Sequence, residues 1–337
     1  SRPRLTDRVE PLWPPLLGMG GMSSLRVGVV FPGQGSQSVG MGVDIAAHSD
    51  ATRALFQRSG EILGYDLLAL QRQGPDERLR ETQYSQPAIF ATNVALYAAV
   101  GASLAPVVSA GHSFGEICSL YAAQSLTFDD ALRIVAERAK AMQAAADEAP
   151  GGMSAVLGLE ADAVRTLAQK VATQTRARVQ LANFNAPTQI VISGDLAAVQ
   201  AAGEAMLAAG AKRVIPLNVS GAWHSALMEP AVERFRSAVD SVEFSMPKFD
   251  VISNVDARPY RDTESMRVNL VHSITREVLW HATAEALLSY ELDLIVEFGA
   301  SAVLGPLLRR MPGAPPSMVV SDFSGVVKLR EQMEATA

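Results

Sequence analysis

The sequence predicts an α/β fold in which a parallel sheet covered by helices is interrupted by a smaller unit. First, β-rich runs alternate with helical patterns, which is typical of a parallel sheet. Second, the alternation changes between residues 149 and 217, where the elements follow the order β-α-β-β-α-β. Third, 337 residues with 48% hydrophobic side chains fit one large domain with an insert, because a single core stops growing near about 250–300 residues.

The large unit is expected to surround the insert in sequence, as a subdomain of residues 23–148 and 218–330. Residues 1–22 contain a Pro-rich stretch, and we expect them to be an upstream remnant or an addition from cloning. The elements expected in the large unit are strands at 25–31, 107–110, 250–253 and 294–298, helices at 86–100, 116–123 and 128–146, and a loop at 312–316. Thr127 and Asp130 give a capping signal for the third of these helices.

The insert, residues 149–217, is expected to be a ferredoxin-like small subdomain. Its expected elements are strands at 153–157, 179–183, 189–193 and 213–217 and helices at 162–172 and 196–209. This order is that of the split βαβ arrangement.

A run without charged residues extends from Thr82 to Gly115 and raises the question of a membrane span. A span needs about 20 mainly apolar residues, whereas Pro87, Asn93 and Gly101 interrupt this run. A buried helix followed by a central strand explains the run better. We therefore expect no membrane association.

The composition excludes several other classes of protein. A mean hydropathy of +0.14 argues against disorder. The 29 basic and 35 acidic residues give a net charge of −6 without a basic block, so we expect no nucleic-acid partner. The single cysteine, Cys118, excludes an intrachain disulfide framework, and no metal-ligand spacing occurs, so no catalytic metal is expected. We expect a cytoplasmic globular protein.

The segment Gly111-His-Ser-Phe-Gly115 fits the G-x-S-x-G pattern of a nucleophile elbow. It follows a predicted strand directly and precedes a helix, so the small flanking residues permit a sharp turn that presents the hydroxyl of Ser113. The alternative is a Gly-rich strand-to-helix turn with a capping serine. The strand–turn–helix context favours the nucleophile.

A serine nucleophile needs a base, and His224 is the best candidate among five histidines. It lies just beyond the last strand of the insert, among small residues that allow close approach of the chain. The alternative is a structural loop histidine. The remaining histidines are expected on solvent-facing helices (His48 and His281), inside the elbow but aimed away (His112) and in a polar helix (His272).

Arg138 lies within the apolar face of its predicted helix, between Val135 and Met142. A cation there is costly unless an anion pairs with it. The partner could be a distant carboxylate of the protein, or the guanidinium could extend to the surface. Alternatively, Arg138 holds a substrate carboxylate in a bidentate pair. The residues alone leave these alternatives open.

The loop Gly33-Gln-Gly-Ser-Gln37 follows the first strand and lacks the Lys and Ser/Thr of a P-loop. At the carboxyl end of a parallel strand it could supply an oxyanion-hole amide. A plain Gly-rich turn is the alternative.

Five motifs in order resemble those of the malonyl-CoA:acyl-carrier-protein transacylases of fatty-acid synthesis and the acyltransferases of polyketide synthases. They are Phe31-Pro-Gly-Gln-Gly-Ser-Gln37, Gly111-His-Ser-Phe-Gly-Glu116, Arg138 with Met142-Gln143, Asn183-Phe-Asn-Ala-Pro187 and Gly221-Ala-Trp-His-Ser225. The resemblance covers residues 26–330. It implies an α/β-hydrolase-like large subdomain interrupted by a ferredoxin-like small one.

The resemblance also implies a role for each matching residue. The implied catalytic residues are Ser113 as nucleophile and His224 as general base and acid, and the implied oxyanion hole is formed by the amides of Gln34 and Phe114. The implied substrate contacts are Arg138 for the malonyl carboxylate, Asn183 in the acyl pocket, and Trp223, whose bulk would crowd a 2-methyl branch.

Two positions depart from the family pattern. The carbonyl that orients the family's histidine belongs to a Gln, and the corresponding residue here is Ser273, seven residues before Trp280. A main-chain carbonyl survives any substitution. The family's Gly-Pro-Gly loop is Gly299-Ala-Ser301 here, which puts the local loop shape in question.

The function implied is transfer of malonyl from coenzyme A to the phosphopantetheine thiol of an acyl carrier protein, by a ping-pong mechanism without a permanently bound cofactor. Alternatives are a hydrolase that clears acyl groups from carrier proteins and a non-catalytic homologue that only docks a carrier protein. Arg138 favours a dicarboxylic acyl group, and the intact Ser113 and His224 argue against the non-catalytic alternative.

Overall fold

The computed structural model describes residues 25–101 and 104–336. The expectation for residues 1–22 lies outside these ranges. Within them the strands are, in chain order, β1 (Val27–Phe31), β2 (Val108–Gly111), β3 (Gly151–Leu157), β4 (Val179–Ala186), β5 (Gln189–Asp195), β6 (Arg213–Pro216), β7 (Asp250–Ile252), β8 (Leu294–Phe298) and β9 (Ser317–Val320).

Helices cover both sheets that these strands form. In chain order the described α-helices are α1 (Val43–His48), α2 (Asp50–Leu63), α3 (Leu67–Gln73), α4 (Asp76–Arg80), α5 (Thr82–Val100), α6 (Gly115–Ala122), α7 (Phe128–Glu148), α8 (Ala161–Thr175), α9 (Leu196–Ala208), α10 (Glu229–Asp240), α11 (Thr263–His272), α12 (Trp280–Leu288), α13 (Gly305–Leu308) and α14 (Phe323–Ala335). The Thr127 hydroxyl accepts a hydrogen bond from the Asp130 N–H at the start of α7, as its capping signal predicts.

The larger sheet is parallel and has the strand order β7-β2-β1-β8-β9. All its neighbouring strands run in the same direction, so each connection is a crossover of the kind that parallel strands require. The predicted large α/β unit is therefore confirmed. The edge strand β9 was not predicted, since it is four residues long and follows the Pro-rich loop at once.

The smaller sheet is antiparallel and has the order β4-β5-β3-β6. Its two helices, α8 and α9, pack with the sheet around a separate core that includes Val164, Ile190, Ile192 and Val199. The predicted ferredoxin-like order is confirmed, with strands that extend further at several ends.

The uncharged run forms a buried helix and a central strand. In α5 nearly every side chain from Ser85 to Leu96 is buried, on all sides of the helix, and β2 is buried along its whole length. Pro87 lies in the second turn of α5. Within the described ranges, no helix combines the length and apolar character needed to cross a membrane.

A buried carboxylate holds the residues that directly follow the loop departing from the family pattern. Glu297, on β8, accepts hydrogen bonds from the backbone N–H groups of Val303, Leu304 and Gly305, each at 2.8 Å. Gly299 packs closely on the loop after β1, because a Cβ there would lie 2.4 Å from the Pro32 ring. These contacts hold the two ends of the loop.

The carboxyl ends of β1, β2 and β7 lie side by side at one edge of the larger sheet. The His112 N–H donates to the Phe31 carbonyl at 2.9 Å and joins the loops after β1 and β2. The smaller sheet reaches this edge through β4, where the Phe184 N–H donates to the Val278 carbonyl at 2.9 Å. Loops at the carboxyl edge of a parallel sheet are the usual place for a ligand site.

Candidate active site

The turn between β2 and α6 places Ser113 in a left-handed backbone conformation, with φ of 55°. The residues on either side of the turn, Gly111 and Gly115, must be glycines because the backbone passes too close to them to leave room for a Cβ. A Cβ on Gly111 would lie 1.9 Å from the Gly115 carbonyl carbon, and a Cβ on Gly115 would lie 2.4 Å from the Phe31 oxygen. The geometry is that of a nucleophile elbow, with the serine at the start of a helix.

His224 contacts Ser113 directly. Its Nε2 lies 2.9 Å from the Ser113 Oγ, and its Nδ1 lies 2.7 Å from the Ser273 carbonyl oxygen. Because a carbonyl only accepts, Nδ1 carries the proton and Nε2 is left to accept one from the serine. The side chain of Ser273 donates to Leu270 instead, so only its carbonyl orients the imidazole.

The environment of His224 keeps its imidazole neutral. Burial, together with the nearby positive charge of Arg138, lowers the pKa of His224 to about 3. A neutral imidazole is the form that can act as a general base.

The remaining histidines do not contact Ser113. The His112 Nε2 donates to the Asn185 Oδ1 at 3.0 Å, and its ring lies beside Trp280. His48 stacks on Phe323, His281 lies near Glu285, and His272 ends α11.

Arg138 is buried, with 1% of its surface exposed, so its guanidinium does not extend to solvent. It donates to the Gln86 Oε1 at 2.9 Å and to the Ser113 Oγ at 3.3 Å. Burial lowers its pKa to about 10, which leaves it charged at neutral pH. Among the described residues no carboxylate lies within 4.0 Å of it, and the buried Glu116 carboxyl acts on it at longer range, which raises its pKa. The core ion pair considered from the sequence is therefore not observed in this part of the chain.

The two amides expected to form an oxyanion hole lie on adjoining loops. Neither the Gln34 N–H nor the Phe114 N–H donates a hydrogen bond to another described residue. The Gln34 side chain is fixed by donation to the Thr82 Oγ1 at 2.9 Å. Gly33 lets its loop approach the elbow, since a Cβ there would lie 2.6 Å from the His112 oxygen.

Trp223 and Asn183 are both buried near the histidine loop and β4. The Trp223 ring packs on Gly221, where a Cβ would lie 2.6 Å from the ring, and its Nε1 has no hydrogen-bond partner in the described residues. Asn183 lies in β4 between the hydrogen bonds to Val278. The asparagine that contacts a residue of the elbow is Asn185, two positions later.

Two glutamines that the sequence did not single out also belong to this site. Gln86 accepts from Arg138 and donates to the Gln34 Oε1 at 3.4 Å. Gln180, on β4, donates to the His224 carbonyl at 3.4 Å and accepts from the Ala226 N–H at 3.0 Å. The sequence could have indicated Gln86, because it is a polar residue inside a buried helix without charged residues. No neighbouring residues in the sequence indicate Gln180.

A serine bonded to a neutral histidine, with two free amides nearby, is arranged for acyl transfer through a serine ester. The buried guanidinium beside the serine suits an acyl group that carries an anion. Fold and site together define the class of α/β acyl-transferring proteins with a serine in the tight turn between a strand and a helix.

Comparisons with known proteins agree with this class. The model of the acyl transferase domain family matches residues 29–310, and the chain belongs to this family. It is 37% identical over 309 residues to the malonyl CoA-acyl carrier protein transacylase of Haemophilus influenzae, covering 91% of this chain and 98% of that protein.

Solved structures are similar over the same length. PlMCAT:AntF, a type II PKS acyl-carrier protein in complex with its malonyl-transacylase, matches with a TM-score of 0.87 and 36% identity, over 91% of this chain and 99% of that chain. The crystal structure of FabD from Acinetobacter baumannii matches with a TM-score of 0.86 and 33% identity, over 93% of this chain and 99% of that chain.

The lowered pKa of His224 predicts a flat pH dependence for the reactivity of Ser113. Since the imidazole is neutral far below its ordinary pKa of about 6.5, inactivation by a fluorophosphonate should not slow as the pH falls from 7.5 to 5. An unshifted histidine would be mostly protonated at pH 5, and the rate would drop about 30-fold.

The measurement is the second-order inactivation rate at each pH, with labelling of Ser113 checked by peptide mass. A decline with its midpoint near 6.5 would contradict the prediction. Burial raises the pKa of Glu116 to about 7, so Glu116→Gln measured in parallel separates an ionisation of that carboxyl from one of His224.

Proposed function

We propose that this protein transfers malonyl from malonyl-CoA to the phosphopantetheine thiol of an acyl carrier protein. The observation that carries the proposal is the buried, charged Arg138, which contacts Ser113 and has only neutral partners among the described residues. The buried Glu116 carboxyl acts on Arg138 only at longer range than a salt bridge. A buried cation without a directly bonded counter-ion is unfavourable, and the malonyl carboxylate supplies one at the position where the acyl group must lie. The names of the relatives and the carrier-protein complex among the similar structures support the same donor and acceptor.

In the first half-reaction the malonyl carboxylate pairs with Arg138 and places the thioester carbonyl beside the Ser113 Oγ. The oxygen attacks the carbonyl carbon while its proton passes to the His224 Nε2. The N–H groups of Gln34 and Phe114 donate to the oxyanion that forms. Collapse of the intermediate breaks the C–S bond, and coenzyme A leaves with the proton from His224.

In the second half-reaction the carrier's phosphopantetheine thiol occupies the place that coenzyme A left. His224 takes the thiol proton, the sulfur attacks the serine ester, and the proton returns to the Ser113 Oγ as the new thioester departs. The coenzyme and the carrier arm are both substrates, so the cycle needs no permanently bound cofactor. This is a ping-pong mechanism.

The Ser273 carbonyl supports the role of His224 in both steps. Its oxygen accepts the Nδ1–H and so fixes the tautomer. When Nε2 is protonated, the partial negative charge of the same oxygen stabilises the positive charge of the imidazolium. A carbonyl stabilises the imidazolium less than a carboxylate does, so His224 returns its proton readily. This suits a cycle in which the base is regenerated within each half-reaction.

The same proposal includes the division of the chain and its location. We propose residues 23–148 and 218–330 as the large subdomain and residues 149–217 as the small one, supported by the separate cores of the two sheets. A cytoplasmic location is supported by the charged, water-soluble donor.

The main test is the mass of the intact protein after exposure to malonyl-CoA. The wild-type chain should gain one malonyl group on Ser113, and Ser113→Ala should gain none, because the ester oxygen is absent. Ser109→Ala is the matched control, since this buried hydroxyl lies on β2, just before the turn, and donates to the Ser119 Oγ.

Release of the adduct by a phosphopantetheine-bearing carrier protein, with malonyl appearing on that carrier, separates a transferase from the alternatives. Release to water alone would identify the hydrolase, and absence of any adduct would identify the non-catalytic carrier-docking protein. An adduct that persists in Ser113→Ala would show that the nucleophile lies elsewhere.

Arg138→Ala should reduce malonyl transfer far more than acetyl transfer, because acetyl-CoA has no carboxylate for the guanidinium. Loss of one partner of a buried charge pair is worth roughly 3–5 kcal/mol, or about two to three and a half decades in kcat/KM. Arg138→Lys should restore little, since an ammonium cannot make two parallel bonds.

The matched control is Arg133→Ala on the same helix. Arg133 is half exposed and pairs with Asp130 at 3.0 Å, so its loss should leave both donors unaffected. An equal loss for both donors in Arg138→Ala would make Arg138 a structural residue and remove the main support for the donor.

Trp223 is proposed to limit the acyl group to unbranched malonyl. One methyl group in a pocket is worth about 1–3 kcal/mol, so kcat/KM for methylmalonyl-CoA should be about 10–200-fold lower than for malonyl-CoA. Trp223→Ala should narrow this ratio, with Trp223→Phe as the control that keeps an aromatic ring. Equal kcat/KM values in the wild-type protein would exclude the role.

A further inference from the structure

We propose that Asn254 is a positioning residue that locks the nucleophile elbow in its strained conformation. It follows β7, the strand beside β2, and only 1% of its surface is exposed. Its side chain therefore reaches the elbow from the neighbouring strand. The inference rests on the proposed function and adds to it a residue that does not touch substrate.

The side chain of Asn254 bridges the two ends of the turn. Its Oδ1 accepts from the Ser113 N–H at 2.7 Å, and its Nδ2 donates to the Gly111 carbonyl at 2.6 Å. The planar amide accepts through its oxygen and donates through its nitrogen, so one side chain satisfies both backbone groups. The two bonds thus hold the last residue of β2 and the serine of the turn to one side chain.

Asn254 is itself held from both sides. Its N–H donates to the Glu116 Oε2 at 2.9 Å, and its carbonyl accepts from the Leu279 N–H at 2.9 Å. Glu116 lies in the first turn of α6, directly after the elbow, and also accepts from the Tyr260 hydroxyl. The contacts thus tie the end of β7 to the helix that follows the nucleophile.

These contacts have a consequence for reactivity. A non-glycine residue at positive φ relaxes unless its surroundings hold it. Without the bond to its N–H, Ser113 could rotate and draw its Oγ away from the 2.9 Å contact with His224. The Ser113 N–H is occupied by this bond, whereas the neighbouring N–H of Phe114 is free to donate to the oxyanion. Loss of the side chain should therefore reduce kcat and leave KM for malonyl-CoA nearly unchanged.

The test compares Asn254→Ala and Asn254→Asp with a control, Asn269→Ala. Asn269 is also buried and bonds Ser253 and Asp256 in the adjoining loop without contact to the elbow. For each protein, Tm, kcat and KM for malonyl transfer, and the rate of Ser113 labelling by a fluorophosphonate are measured.

For Asn254→Ala we expect a fall of about 10²-fold in kcat and in the labelling rate, with KM within about twofold. In its ionised form Asn254→Asp keeps the acceptor for Ser113 and loses the donor to Gly111, so at pH 8 its labelling rate should lie between those of the alanine variant and the wild type. Asn269→Ala should lower Tm without changing kcat or labelling.

Three results would overturn the proposal. They are an unchanged labelling rate in Asn254→Ala, a change confined to KM, and failure of both Asn254 variants to fold while Asn269→Ala folds. Because labelling needs no malonyl, it also tests the positioning role of Asn254 separately from the proposed malonyl transfer. A wild-type protein that is labelled but takes no malonyl refutes the proposed function alone.

Discussion

The whole site depends on one steric constraint, the close contact between β2 and α6 around Ser113. The strand and the helix approach so closely that neither Gly111 nor Gly115 has room for a Cβ. The chain must turn within three residues, and it does so by placing the serine at positive φ. Such a conformation costs about 1–3 kcal/mol in a non-glycine residue. The contacts of the surrounding strands and loops offset that strain and at the same time determine where the hydroxyl points.

The electrostatics of the site follow from burying two basic groups beside that hydroxyl. Arg138 keeps its charge but has only neutral partners among the described residues, while His224 loses its charge because of burial and of that same cation. A carboxylate of the protein beside Arg138 would relieve its burial, but it would also occupy the place of an anionic acyl group and raise the pKa of His224. Glu116 acts on Arg138 at longer range, but the guanidinium has no directly bonded anion among the described residues.

The parts that could be predicted from the sequence are those whose signals are local. The elbow, the Thr127 cap and the apolar face with Arg138 each depend on residues a few positions apart. By contrast, Gln86 meets Arg138 across 52 positions and Asn254 meets Ser113 across 141. No spacing in the sequence reveals such partners, since only the sheet order brings them together.

The two asparagines of β4 show a second reason why some contacts of the site could not be predicted from the sequence. A strand alternates its side chains between two faces, so a regular strand would place Asn183 and Asn185 on the same face. The pairing with β5 shifts in register between Leu181 and Asn183 and again between Phe184 and Ala186. Each bulge re-aims the following side chains. Hence the sequence identifies the motif of residues 183–187, but only the structure shows that Asn185 is the asparagine that contacts His112.

The origin of the base explains why the small sheet matters to the chemistry. Ser113 and Arg138 belong to elements of the large sheet and its helices, whereas the loop of His224 follows β6, the last strand of the small sheet. That loop is fixed from two sides, by Gln180 on β4 and by the Ser273 carbonyl. A displacement of the small sheet would therefore remove one of the two supports of the His224 loop, the contact with Gln180, and leave the turn at Ser113 intact. The 2.9 Å contact between Oγ and Nε2 lies within the proposed large subdomain, and Gln180 is the residue through which the small sheet helps to hold the His224 loop.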